Sequence, residues 1–213
     1  MGFAIFAQFH MQTLIQFCSA CGKPVEWKTP PGDHAPRHVC TACNTVHYLN
    51  PKVIVGVIPE APDGRILLCK RNIEPRHGFW TYPAGFMEMG ETSADGAARE
   101  GLEESEAEIA VDDLCALINV PWVNQMHLAY RGRLLGSHYA TTPESSEVRL
   151  YAEEEIPWDE IAFPTIYQSL RFFFADRAAG VRGFHALDLK KRPTKVAGGP
   201  TPAQVLAWMK SAE

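Results

Sequence analysis

The stretch Gly85 to Ala107 reads GFMEMGETSADGAAREGLEESEA, and the interpretation of the whole chain turns on it. Within it Arg99 and Glu100 are followed by Glu103 and Glu104. On a helix the positions i, i+3 and i+4 share a face, so Glu100, Glu103 and Glu104 would crowd three carboxylates together. Such a cluster repels itself unless a cation sits in it. Carboxylate oxygens suit a hard ion such as Mg²⁺, which keeps several waters and is usually shared with substrate phosphates. Upstream, Gly85 and Gly90 permit a tight loop, and Thr92 with Asp95 three residues later makes a capping-box pattern. The spacing predicts a loop, then a helix with an acidic metal-binding face. The bland alternative for any Glu-rich run is a solvated charged face.

Length and composition bound what surrounds this stretch. At 213 residues the chain can hold one well-buried domain and a smaller module. Its 46% hydrophobic and 21% charged residues are ordinary for a globular protein. A formal net charge of −5 implies no broad basic surface and disfavours nucleic acid as the main partner. No apolar run reaches the roughly 18 to 20 residues needed to span a bilayer, so no membrane association is expected. The opening MGFAIFAQFHMQTLIQ lacks a positive n-region and a small-residue cleavage site, and Phe6 stands where a myristoylation pattern needs Ser or Thr. Residues 1–16 are therefore read as an N-terminal arm, and the protein as cytoplasmic.

Four of the six cysteines form two pairs, Cys18-x2-Cys21 and Cys40-x2-Cys43, with eighteen residues between them. This is the spacing of a four-cysteine zinc site, in which two knuckles close a tetrahedron. Gly22 and Asn44, just after each pair, tolerate the left-handed conformation that knuckles use. With four thiolates the Zn²⁺ is structural and leaves no open place for water. Disulfides are the competing reading, and nothing marks a secreted chain. His34, His38 and His47 lie nearby and are read as surface or packing residues. Cys69 and Cys115 sit in the apolar segments RILLCK and LCALINV, as buried and inert thiols.

Between the cysteines and the Gly85 stretch, VIVGVI and RILLCKR flank a Pro-Asp-Gly turn, a hairpin signal. HGFWTYPAGFME follows, where Phe79 and Trp80 either line a substrate pocket or join the core. Beyond the stretch, LCALINVPWV and QMHLAYRGRLL read as two strands with a Pro-containing connection. A further strand and an acidic turn lead to Pro164, suited to the first turn of a helix whose Ile166, Leu170 and Phe173 or Phe174 make one apolar face. Strands alternating with few helices indicate a mixed-sheet α/β domain. RPTKVAGGPTP reads as a linker, and PAQVLAWMKSAE as a short amphipathic helix needing a docking surface.

The Gly85 stretch resembles the Nudix box, G-x5-E-x7-R-E-U-x-E-E-x-G-U with U aliphatic. Gly85, Glu91, Arg99, Glu100, Glu103 and Glu104 fall in register. Gly101 replaces an aliphatic, at a cost of about 1 kcal/mol of helix propensity together with a lost apolar anchor, and Glu106 and Ala107 replace Gly and a larger aliphatic. The resemblance implies the Nudix fold, an α/β arrangement with a mixed β-sheet sandwiched between helices, here preceded by a small β zinc ribbon. With the composition of the two ends, the chain divides into an arm at 1–16, a zinc ribbon at 17–49, a Nudix domain at 50–190, and a linker with a C-terminal helix at 191–213. The resemblance further implies hydrolysis of a phosphoanhydride with Mg²⁺ or Mn²⁺ held by Glu100, Glu103, Glu104 and the carbonyl of Gly85. Arg99 and Glu91 match residues that orient the helix by salt bridge. The general base stays open between Glu100 and a loop glutamate, Glu144 or Glu147, while Phe79 and Trp80 remain the candidate substrate contacts, with the core as their alternative.

A zinc ribbon ahead of a Nudix domain is similar to two groups, the NADH diphosphatases and the ADP-ribose/FAD diphosphatases. The NADH group carries S-Q-P-W-P-F-P downstream of the box, where this chain reads NVPWVNQMHLAY. HYLNPKVIVG, RNIEPRHGFWTYPAGFMEMGET and EEIPWDEIAFPT look much like the ADP-ribose/FAD group, over roughly Phe17 to Phe174. The resemblance implies a small-molecule nucleotide substrate, ADP-ribose or FAD, yielding AMP, and a homodimer. An NADH diphosphatase, a remover of NAD caps from RNA and a non-catalytic nucleotide-sensing module are the alternatives.

Overall fold

The computed structural model describes residues 15–190. The linker and C-terminal helix expected over 191–213, and all but the last two residues of the expected arm, lie outside the described residues. The chain divides into two compact units between Asn50 and Pro51.

The first unit is a three-stranded antiparallel sheet of β1 (Val25–Lys28), β2 (Arg37–Cys40) and β3 (Val46–His47). Gly22 and Asn44 both take positive φ, 69° and 60°, so the chain turns sharply after each cysteine pair.

The second unit is built on a sheet of eight strands: β4 (Lys52–Glu60), β5 (Ile66–Arg71), β6 (Trp80–Thr81), β7 (Ala84–Phe86), β8 (Ile109–Val120), β9 (Gln125–Leu134), β10 (Ser145–Tyr151) and β11 (His185–Asp188). The order is β10-β5-β4-β9-β8-β11, with β6 on β5 and β7 on β4. At its centre β4 and β9 run parallel in unbroken register from Lys52↔Gln125 to Glu60↔Arg133. A strand covered on both faces needs a continuous apolar run rather than alternation, and VIVGVI supplies one.

The hairpin expected of β4 and β5 is realised only at its turn. Glu60↔Ile66 is the sole registered pair. Beyond it the strands splay, because β7 pairs with β4 at Ile54–Gly56 and β6 pairs with β5 at Cys69 and Lys70. The segment from Trp80 to Phe86 thus wedges open a fork in the sheet.

Two helices cover the sheet, α1 (Ser93–Ser105) on one face and α2 (Pro164–Ala179) on the other. Side chains of a strand point alternately to opposite faces. Accordingly Leu67 and Cys69 join Val55, Val57 and Ala97 of the α1 layer, while Ile66 and Leu68 join Leu170, Phe173 and Phe174 of the α2 layer. The capping box at Thr92 and Asp95 forms as read, each backbone N–H bonding the other's side chain. Glu106 ends α1 in the left-handed region at φ 55° and donates its N–H to the Leu102 carbonyl. The apolar anchor expected to be lost at Gly101 comes from the opposing strand. A Cβ at Gly101 would lie 2.5 Å from Ile109 Cδ1, so the isoleucine fills the place that an aliphatic on the helix would occupy.

Strand β11 was not legible in the sequence, where HALD carries no pattern. Its placement depends on Arg131, 5% exposed. That guanidinium donates to Asp113 at 2.6 Å, to the Gly183 carbonyl at 2.8 Å, and to Asp176 of α2. The His185 ring lies flat on Phe172 at 4.3 Å and bonds Asp176 at 3.0 Å. A buried guanidinium is tolerable only when its donors are used, and the chain from α2 into β11 supplies the acceptors.

Leu170 is wholly buried in the α2 layer, whereas Leu102 on α1 is 52% exposed. Leu170→Ala is expected to cost about 2–5 kcal/mol, and Leu102→Ala within about 0.5 kcal/mol. Denaturant midpoints of the two variants measure the difference.

Candidate functional site

Arg99 organises the loop and helix that carry the acidic residues. Its Nε and Nη2 bond both oxygens of Glu91 at 3.0 Å, its Nη1 bonds Glu100 at 2.8 Å and Glu103 at 2.9 Å, and its Nη2 also reaches the Phe86 carbonyl at 3.1 Å. The two parallel bonds to Glu91 are the fork geometry that arginine makes with carboxylates. They hold the Glu91 carboxyl below its ordinary range. Glu91 also accepts the Glu88 N–H at 2.7 Å, so the loop is tied at both ends.

The remaining carboxylates are graded by burial. The Glu103 side chain is largely exposed. Glu100 lies against the backbone of Gly85, where a Cβ would fall 2.3 Å from its Oε1, so only glycine allows this approach. Burial pushes its carboxyl above the ordinary range, against the pull of Arg99. Glu104 is 5% exposed and accepts one hydrogen bond, from the Ala84 N–H at 3.1 Å. Burial raises it to about 8, with the nearby charges of Glu100 and Glu144 adding to the shift and Arg71 opposing it. Buried oxygen donors that repel one another fit a hard divalent cation.

These residues open on a cavity of about 680 Å³. Glu100, Glu103, Glu104 and Gly85 line it together with Val120, Trp122, Phe163 and Ile166. His127 also lines it, and burial lowers its pKa to about 4, so the ring is neutral near pH 7. Of the two loop glutamates, Glu144 lines the cavity, its carbonyl held by the Asn72 N–H at 2.8 Å. Glu147 does not line it. Its carboxylate pairs with Lys70 at 2.7 Å and Arg149 at 3.2 Å, because β10 registers it beside Lys70 on β5. Phe79 and Trp80 do not line the cavity either. Trp80 is 3% exposed, edge-on to Tyr151 at 5.2 Å, because its strand is drawn into the sheet against β5.

Arg71 is a cavity residue that sequence reading missed. Strand alternation carried its signal: Arg71 shares parity on β5 with the buried Leu67 and Cys69, so a cation was due to point inward.

In the first unit the four paired cysteines converge. Sγ separations are 3.7 Å for Cys18–Cys43, 3.4 Å for Cys21–Cys40 and 3.5 Å for Cys21–Cys43, and all four atoms lie within 4.8 Å of one another. Thiolates about 2.3 Å from a tetrahedral zinc stand about 3.8 Å apart, so the quartet fits Zn²⁺ with no ligand to spare. The Ala42 and Cys43 N–H groups point at Cys40 Sγ at 3.4 Å and favour its thiolate. His38 is buried against Trp27, with ring centroids 4.7 Å apart. Among the described residues this is the one group of three or more such ligands so close together. Glu100, Glu103 and Glu104 do not converge to that distance.

Comparison with known proteins agrees with this division. Residues 16–49 match the family model described as Nudix N-terminal, a zinc ribbon, and residues 50–171 match that of the NUDIX domain. The chain is similar to NAD-capped RNA hydrolase NudC of Edwardsiella ictaluri (strain 93-146), 35% identical over 109 residues, which are 50% of this chain and 38% of that protein. NudC of Salmonella paratyphi C (strain RKS4594) is 29% identical over 147 residues, 67% of this chain and 53% of its own. The chain thus spans about half, or less, of the curated relatives it matches. Among solved structures, a NUDIX hydrolase from Nitrosomonas europaea superposes with a TM-score of 0.80 at 46% identity, covering 83% of this chain and 100% of that one. An ADP-ribose pyrophosphatase from Streptococcus suis shares the fold, with a TM-score of 0.52 at 17% identity over 65% of this chain and 99% of its own.

The two sites give separable predictions. Elemental analysis should find about one zinc per chain, and Cys40→Ser should abolish it. For Glu104 the sign follows from a raised carboxyl. Without added divalent cation the folded state keeps a proton that the unfolded state releases, so stability falls as pH rises from about 4.5 to about 8. Glu104→Gln should remove that slope, read as denaturant midpoint against pH.

Proposed function

The chain belongs to the Nudix hydrolase family, and we propose that it hydrolyses the phosphoanhydride of a nucleoside diphosphate joined to a second moiety, with ADP-ribose or FAD as substrate. The observation that carries the reading is the cavity in which Glu100, Glu103 and Glu104 share the lining with apolar side chains. Glu100, Glu103, Glu104 and the Gly85 carbonyl would hold the divalent cation. Bound there, Mg²⁺ or Mn²⁺ supplies charge neutralisation for the diphosphate and lowers the pKa of a water.

The chain's own residues supply position. Arg99, fixed by Glu91, keeps Glu100 and Glu103 on the cavity side of α1, and the Ala84 N–H holds Glu104. Glu144, on the loop before β10, accepts the proton of the attacking water. Glu147 is committed to Lys70 and Arg149, which argues for Glu144 between the two loop candidates. Water adds across the P–O–P bridge, giving AMP with ribose 5-phosphate or FMN. For ADP-ribose and FAD over NADH, the support is the sequence at Asn119–Gln125, which lacks the S-Q-P-W-P-F-P motif.

A second reading, action on an NAD-capped RNA, is favoured by the printed activity of the NudC relatives. A panel of ADP-ribose, FAD, NADH and NAD-capped RNA with Mg²⁺ distinguishes them, and faster turnover of the last two would reverse the assignment. Glu103→Gln and Glu104→Gln should each slow turnover on the order of 100-fold or more, while Glu147→Gln leaves it near wild type. ADP-ribose binding without turnover in the wild-type protein would mark a sensing module instead.

A further inference from the structure

Two guanidinium groups line the cavity, and they are used differently. Arg99 is saturated by Glu91, Glu100, Glu103 and the Phe86 carbonyl. Arg71 is 9% exposed, yet it has no ion pair among the described residues. Its Nε donates to the Pro75 carbonyl at 2.9 Å, and its guanidinium lies 5.2 Å from the centroid of the Phe163 ring. These contacts fix the plane of the fork, and among the described residues neither terminal nitrogen has a hydrogen-bond acceptor. A buried cation in that condition is costly unless an anion joins it.

The residue under the guanidinium is also the N-cap of α2. Phe163 offers no side-chain acceptor to the first turn, and Pro164 follows it at the first helical position. Phe163, Pro164, Thr165 and Ile166 all line the cavity, so this helix of 16 residues begins there. Apart from the Tyr167 N–H, which bonds the Phe163 carbonyl at 3.0 Å, the first-turn donors have no intrahelical partner. Thr165 is 3% exposed, and its hydroxyl is buried with no hydrogen-bond partner. An uncapped N-terminus carries partial positive charge and free N–H groups, the combination that binds phosphate.

We propose that Arg71 and the N-terminus of α2 form an anion subsite that holds one phosphate of the substrate's diphosphate, while the carboxylates of α1 serve the other through their cation. The identity of the anion as a substrate phosphate rests on the function proposed above; the existence of the subsite does not. The arrangement gives the diphosphate a direction in the cavity, since only one of its phosphates can meet the arginine fork.

The probe is pyrophosphate, titrated calorimetrically into the zinc-loaded full chain without magnesium. Wild type should bind one pyrophosphate, more weakly as salt rises. Arg71→Gln should lose at least tenfold in affinity, and Arg71→Lys, which keeps the charge without the fork, should fall between. Glu103→Gln should bind no more weakly than wild type. With magnesium and ADP-ribose or FAD, Arg71→Gln should raise KM at least tenfold with a smaller change in kcat. If Arg71→Gln fails to fold, Arg71→Lys and Thr165→Val carry the test, the latter weakening pyrophosphate several-fold without lowering Tm. Absence of binding by wild type, or equal binding by folded Arg71 variants, overturns the subsite. Arg71-dependent pyrophosphate binding without hydrolysis of any dinucleotide would uphold the subsite and overturn the proposed activity.

Discussion

One guanidinium, that of Arg99, holds the acidic region together. It grips the Glu91 loop in a two-pronged contact and reaches two carboxylates on its own helix and a backbone carbonyl of β7. Without it, Glu91, Glu100 and Glu103 would repel one another, and the loop from Met87 to Glu91 would have little else tying it to α1. Because the same charge serves three acids, moving any one of them changes what the other two feel. The burial of Glu104 then sets a graded row, from a carboxylate in water at Glu103 to one kept reluctant to ionise.

Much of this was legible in the sequence because it is local. The capping box at Thr92 and Asp95, the i, i+3, i+4 carboxylates and the paired cysteines depend on neighbours a few residues away. The capping box and the cysteine quartet formed as read, whereas the three carboxylates share α1 without their oxygens converging to the distance the cysteines reach. Long-range pairing was not legible. The splaying of β4 from β5 depends on a segment, Trp80–Phe86, that finds its partners on both strands, and this took Trp80 into the core rather than into the lining of the cavity. Glu147 reads the same as Glu144 in sequence, and only the register of β10 against β5 puts it beside Lys70. Strand β11 depends on the burial of Arg131, whose partners come from β8, from α2 and from the loop after α2.

The departures from the family pattern also have physical reasons. Gly101 leaves no gap in the packing, since Ile109 occupies the space an aliphatic would take. Glu106 stands where glycine is expected and does take the left-handed conformation, so α1 ends at the usual place with a residue less suited to it. The acidic residues are concentrated on one helix and its loop, while other parts of the cavity lining come from the start of α2, the end of β8 and the end of β5.

The parallel pairing of β4 with β9 has a consequence for the order in which the molecule is built. Its two strands are far apart in the chain, with the whole of α1 and β8 between them, so the centre of the sheet cannot close until β9 has been synthesised. Contacts of such long range slow folding. The zinc-binding unit is made of near neighbours and precedes them in the chain, so it can take up its metal while the second unit is still emerging. A nascent chain halted before Gln125 would then hold zinc but leave α1 without the completed sheet it packs on, and every acid of the box would be solvated.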